Sequence, residues 1–448
     1  MIFSSTSFLL LFLPLLLGGY FITPPKHRNK VLCIASILFY LCNDPMMFAP
    51  LCFLILLTYG CIKYRSNKNH LWISIGFLLF LMIYFKYYGW LLTTLGIGNP
   101  KLVFNPLGYS FILFSMLSAV IDFHRNDTLK PKFVIYFNYI LFFPKIFMGP
   151  LMRYADFEQQ WNDHPTSSKQ LVEGSRFLLK GCVMKVILAN TFATIFNLCS
   201  DSTSMLAAWM MLVAYGLQLY YDFYGYTCMA QGISKFLGFT LPENFNHPYI
   251  ATSLQNFWTR WHISLSTWFK DYLYIPLGGN RHGKKHTMRN LMIVWIATGL
   301  WHGSSLPYLL WGLYHGSLLL IERFVLKDLL NKIPLWFRRT FTFILVLIGW
   351  ITFFQPTIKD CGVFFIQLLN MTQICDVTSI SILSQYVSFF IVGLLAMTYL
   401  PSHLSKWIQK QCGTTFVWVE VVVSLSMWLI IFAYLMADSY QAFLYFQF

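Results

Sequence analysis

Long apolar runs decide what this chain can fold into. Residues 3–25 read "FSSTSFLLLFLPLLLGGYFITPP", residues 416–437 read "FVWVEVVVSLSMWLIIFAYLMA", and from Asn290 to Ile321 there is no Lys, Arg, Asp or Glu. A run of about 20 apolar residues is what a helix needs to cross a hydrocarbon core of about 30 Å. In that core only helices and closed barrels satisfy their own backbone polar groups. The short alternating segments of a barrel do not occur here. Charged residues make up 11% of the 448, where a soluble chain carries about a quarter, and mean hydropathy is +0.57. The reading is an all-α, polytopic integral membrane protein.

The first run is not a removable signal peptide, because no basic residue precedes it and "KHRNK" at 26–30 follows it. The positive-inside rule then starts the first helix outside and ends it in the cytoplasm. The net charge of +15 has the same origin. Basic residues gather in short segments between apolar runs: Lys63, Arg65 and Lys68; Arg125, Lys130 and Lys132; Arg281, Lys284, Lys285 and Arg289; Arg323, Lys327, Lys332, Arg338 and Arg339. Such placement signals orientation, not nucleic-acid binding. Ten scattered cysteines form no CxxC, zinc spacing or disulfide framework.

These basic segments divide the chain. Residues 31–62 hold two short spans turning at "NDPMM", and 69–124 hold two more with "GIGNPKLVFNP" as an outer loop. Further spans are expected near 133–149, 175–198, 203–221, 340–356, 382–400 and 416–437, for roughly eleven in all and one domain over residues 1–448. Residues 222–290 differ, since charges and Gly/Pro breaks interrupt aromatic sequence in "YYDFYGYT", "LPENFNHPY" and "NFWTRWHISLSTWFKDYLYIPLGGNRHGKK". Irregular backbone at membrane depth is tolerated only inside protein or beside a watery cavity. This is where function is expected.

Two histidines stand out. His302 lies inside the uncharged run, in "GLWHGSSLPYLLWGLYHG", where a titratable ring is costly unless used. Two readings fit equally. One is a hairpin broken at "HGSSLP", with arms of about 13–14 residues or about 20 Å and His302 near the apex. The other is a single tilted span with the histidine capping its end. His262 falls in Gln255–Leu273, read as an amphipathic helix with Phe257, Trp261, Leu265, Trp268 and Tyr272 on its apolar face. Opposite lie Arg260, Ser264, Thr267 and Asp271. A lone histidine there is more often packing than chemistry, but two "WH" pairs, Trp261–His262 and Trp301–His302, weigh against that.

No P-loop, GxGxxG or GxSxG motif occurs, no histidine begins an HxxxxD, and the histidines lack further ligand partners at metal spacing. What remains is imidazole acting alone as general base or acid.

The stretch "YYDFYGYTCMAQGISKFLGFTLPENFNHPYIATSLQNFWTRWHISLSTWFKDYLYIPLGGNR", with "GLWHGSSLPYLLWGLYHG", closely resembles the membrane-bound O-acyltransferase family, and within it the bacterial alginate O-acetylation branch. The likeness extends to "NPLGYSFILFSMLSAVIDFHR", "FMGPLMRYADFEQQ" and the terminal "FLYFQF". It implies helices around a central funnel or tunnel, a catalytic core over residues 105–356, and location in the bacterial inner membrane. The activity implied moves acetyl from a cytoplasmic thioester, acetyl-CoA, toward an extracytoplasmic polysaccharide through a periplasmic SGNH-type partner. No bound cofactor or metal is implied. His302 in "LWHG" matches the family's catalytic histidine, and His262 in "RWHISLS" its second. The chain departs from the family pattern where Tyr224 follows "DF" in place of serine, where Met184–Lys185 stands for two lysines, and where "GWITFFQP" lacks an arginine.

Other residues carry weaker expectations. Asp222 and Arg260 either line a tunnel or pair with each other to tie two segments, the second being favoured. Asn244 fixes a turn or lines the passage. Trp258, Trp261 and Trp301 are packing residues or tunnel walls. The competing classes are a flippase of lipid-linked sugar, which inverted repeats would favour though none is visible, and a non-catalytic membrane scaffold.

Overall fold

The computed structural model describes residues 1–65, 68–97, 106–330 and 332–437. Among them the structure is helical, and the strand-like pairing is confined to an isolated bridge between Phe245 and Trp261. The expected all-α class holds. The expected outer loop at 96–106 lies mostly outside the described residues, as does the terminal "FLYFQF".

Helix α1 (Phe8–Ile22) stops before Pro24 and Pro25. α2 (Arg28–Asn43) and α3 (Pro45–Lys63) meet at Asp44, as expected for "NDPMM". The reason is local. The Asp44 carboxylate accepts a hydrogen bond from the Met47 N–H at 3.3 Å, and Pro45 takes the first helical position, where its missing N–H costs nothing. α4 (Lys68–Leu95) and α5 (Tyr109–Arg125) follow. Gly108 opens α5 at φ +70°, and a Cβ there would come within 2.9 Å of the Phe147 backbone, so only glycine fits.

The expected span at 133–149 is not one helix. α6 (Phe133–Leu141) ends ahead of Pro144, and the non-helical residues that follow, Phe143 and Phe147 among them, are buried in protein. After α7 (Tyr154–Asn162) comes α8 (Ser168–Cys199), interrupted by a wider π turn at Val183–Ala189. α9 (Met205–Phe236) corrects a second expectation: with no proline in its 32 residues, it runs straight through "YYDFYGYT".

The chain divides into two compact units, one of Met1–Gly181 with Tyr226–Pro242, the other of Cys182–Gly225 with Glu243–Phe448. In the first, Phe3, Phe39, Phe143 and Tyr226 pack ring to ring at 4.9–6.3 Å. The second also contains α10 (Leu254–Trp258), α11 (Ile263–Phe269), α12 (Gly283–His302), α13 (Leu306–Leu330) and α14 (Leu335–Phe354). α15 (Ile358–Gln367), α16 (Val377–Ala396), α17 (Leu400–Cys412) and α18 (Phe416–Met436) complete it.

Among the described residues, seven helical stretches are long and apolar enough to cross a membrane: α3, α4, α8, α13, α14, α16 and Leu400–Met436. The other expected crossings fall on shorter or more polar helices. α2 and α5 have 16 and 17 residues, and α12 carries Lys284, Lys285 and Arg289.

Candidate active site

The uncharged segment around His302 folds as a hairpin. α12 ends at His302, residues 303–305 turn, and α13 begins at Leu306 with Pro307 in its first turn. The single tilted span is thereby excluded. The hairpin differs from the expected one in length: α12 begins at Gly283, so Lys284, Lys285 and Arg289 belong to the helix and do not bound it. Its 20 residues span about 30 Å, not the expected 20.

Glycines let the two arms approach. A Cβ on Gly299 would lie 2.6 Å from the Tyr308 carbonyl oxygen, and one on Gly312 would collide with that of Trp295. At the turn, the Tyr308 ring occupies the space a Cβ on Gly303 would need. This explains the glycine directly after His302.

The second histidine sits at a break. Gln255–Leu273 is not a continuous helix: α10 stops at Trp258, α11 starts at Ile263, and a π turn, Lys270–Tyr274, follows. His262 lies between them at φ +47°, a left-handed conformation rare for a residue with a side chain. Its surroundings hold it there. Asn244 accepts twice from the start of α11, its carbonyl from Ile263 N–H at 3.0 Å and its side-chain oxygen from Ser264 N–H at 3.1 Å. Next to these bonds, Phe245 and Trp261 form the isolated bridge. Asn244 is thus a borrowed helix cap, satisfying N–H groups that α11 cannot satisfy internally.

His302 and His262 open onto one cavity of about 420 Å³. Both are nearly enclosed, at 4% and 3% exposure. The walls are aromatic: Trp258, Trp261, Trp295, Trp311, Trp350 and Phe353 line it, with Gln255, Lys270 and Arg323 among its polar margins. The His302 ring lies 4.8 Å from Trp311 and 5.0 Å from Phe353, centroid to centroid. His262 meets Phe223 edge-on at 4.7 Å. Trp301 contacts both histidines, at 4.7 Å from His302 and 6.4 Å from His262. Two imidazoles facing a mostly apolar space can exchange protons with a bound hydroxyl or thiol.

Of the expected site residues, His302, His262, Trp258 and Trp261 line this cavity. Trp301, Asp222, Arg260 and Asn244 are not among its lining residues. The expected Asp222–Arg260 pair does not form. Asp222 instead accepts a hydrogen bond from Lys185 Nζ at 2.5 Å, with both side chains buried. Arg260 donates to neutral oxygens: Asn256 Oδ1, the Asn246 carbonyl and the Tyr399 hydroxyl, each at 3.1 Å. Trp295, Trp311, Trp350 and Phe353 were not foreseen as walls. Spacing on the hairpin was the available signal, since Trp295 and Trp311 flank the His302 turn. In a chain that is 19% aromatic, residue type alone did not single them out.

The family model for MBOAT, the membrane-bound O-acyltransferase family, matches residues 46–366. The chain is 34% identical to a probable alginate O-acetylase AlgI of Pseudomonas putida over the full length of both. It is 35% identical to one from Azotobacter vinelandii, over 88% of this chain and 85% of that protein. It is also 30% identical to a peptidoglycan O-acetyltransferase of Helicobacter pylori, over 72% of this chain and 70% of that protein.

Proposed function

This chain belongs to the membrane-bound O-acyltransferase family, and we propose that it carries acetyl from a cytoplasmic thioester to hydroxyls of a polysaccharide outside the bacterial inner membrane. It is a multi-pass membrane protein and an O-acyltransferase. Acetyl-CoA as donor, a periplasmic SGNH-type protein as onward carrier and the catalytic core at 105–356 belong to the proposal. The names of the alginate and peptidoglycan relatives support acetyl as the group and a glycan as its destination.

The observation that carries the mechanism is that both histidines face one cavity. The acceptor hydroxyl gives its proton to the neutral ring of His302 as its oxygen attacks the thioester carbon. His262 donates a hydrogen bond to the oxyanion that develops there. The new C–O bond forms, the C–S bond breaks, and His302 returns the proton to the departing thiolate, leaving an ester and a free thiol. The aromatic walls keep water from intercepting the acyl group.

The test is transfer from radiolabelled acetyl-CoA by the purified chain, with and without the SGNH-type partner. His302→Ala should insert and fold normally yet lose transfer by about 100- to 10,000-fold, the usual contribution of general base catalysis. Full activity in that variant would overturn the assignment. A wild-type chain that labels neither partner nor glycan would instead favour a flippase or a scaffold.

A further inference from the structure

A third buried histidine, His315, lies near the end of "GLWHGSSLPYLLWGLYHG" and has no part in that mechanism. It lies on α13 between Trp311 and Leu319, at four-residue steps along one stripe of the helix. Trp311 and Leu319 line the cavity, and His315 sits behind the wall with 0% exposure. Its ring packs edge-to-face on Trp258 at 5.0 Å and on Trp311 at 5.1 Å, and lies 5.6 Å from Trp295. On its other side α14 presses directly, since a Cβ on Gly349 would come within 2.5 Å of His315 Nε2. The ring therefore has little freedom.

Three of these rings have unmet hydrogen-bonding capacity. Among the described residues, neither nitrogen of His315 has a partner, nor does the indole N–H of Trp258 or of Trp311. Enclosing unbonded polar atoms is unfavourable, and phenylalanine or leucine would fill such a site without that cost. An imidazole kept here points to a use for its polarity. Open groups of this kind are met by ordered water or by a bound molecule.

Trp311 connects this ring to the chemistry. Its indole stands at 83° to His302 with centroids 4.8 Å apart, and at 70° to His315. We propose that His315 is a positioning residue for acyl transfer, setting the tilt of Trp311 and through it the His302 ring, by its polarity and not by its volume. The inference rests on the reading of His302 as the base.

Variants of His315 test it in the donor-transfer assay. His315→Phe keeps a planar ring, somewhat bulkier than imidazole, and removes the polarity. It should bind donor with unchanged KM but lose at least about tenfold in kcat, and the pH midpoint of kcat assigned to His302 should shift. His315→Gln should recover most of both. Wild-type kcat and pH profile in His315→Phe, or no difference between Phe and Gln, would overturn the proposal. If His315→Phe does not fold, His315→Asn and His315→Leu give the same contrast with smaller side chains, and equal activity in those two would overturn it. The underlying reading fails separately, through an active His302→Ala or an inactive wild type.

Discussion

Lys185 and Asp222 pose the sharpest energetic question among single residues. Their side chains are 4% and 2% exposed, and the ammonium donates to the carboxylate at 2.5 Å. Two charges lose their hydration at such a site and offset that loss by pairing, so the pair adds little net stability while either charge alone is ruinous. Lys185→Met or Asp222→Leu should each destabilise the detergent-solubilised protein by about 3–5 kcal/mol. The double variant should recover most of the loss, measured as thermal unfolding. Equal, additive losses would mean that the two side chains do not interact. Both charges are evident in the sequence, but their pairing is not, because 37 positions separate them and nothing in the intervening residues says which helices meet. Arg260 was the expected partner, but neutral oxygens take it up.

Helix ends show how much of each element was encoded nearby. α16 begins with a capping box, in which Asp376 accepts from the Ser379 N–H at 2.8 Å and Ser379 Oγ accepts from the Asp376 N–H at 3.0 Å. Ser202 also donates to the carboxylate, at 2.7 Å. The Ser379 bonds first, and then that from Ser202, hold the carboxyl below its ordinary 3.8, at about 2. A carboxyl depressed by folding stabilises the native state above its unfolded value, and that gain is lost as pH falls through the folded value. Asp376→Ala should therefore melt at a lower temperature than wild type at neutral pH, and the gap should close as pH drops from about 4 to about 2. A gap that stays constant with pH would remove the carboxylate from the account. The cap at Asp44 was similarly local, and the turn at "NDPMM" was anticipated. The break at His262 was not, because Asn244 and the Phe245–Trp261 bridge impose it from another part of the chain. On periodicity alone the helix runs on through the catalytic candidate.

Orientation in the bilayer is a property of the whole molecule, and basic turns should set it. The segments around Lys63 and Arg65 and around Lys332 to Arg339 are expected on the cytoplasmic side. Fusions of green fluorescent protein at positions 64 and 332 should fluoresce, and alkaline phosphatase at the same points should be inactive. The reverse pattern would invert the proposed donor and acceptor sides. Membrane residence, helical class and the two histidines worth watching followed from composition, apolar runs and two "WH" pairs, because burial in lipid imposes constraints on each stretch of chain separately. The shared cavity, the partner of Asp222 and the enclosure of His315 required the folded protein. Each depends on which distant faces touch, and in a chain apolar nearly everywhere the pattern of apolar residues no longer distinguishes one face from another.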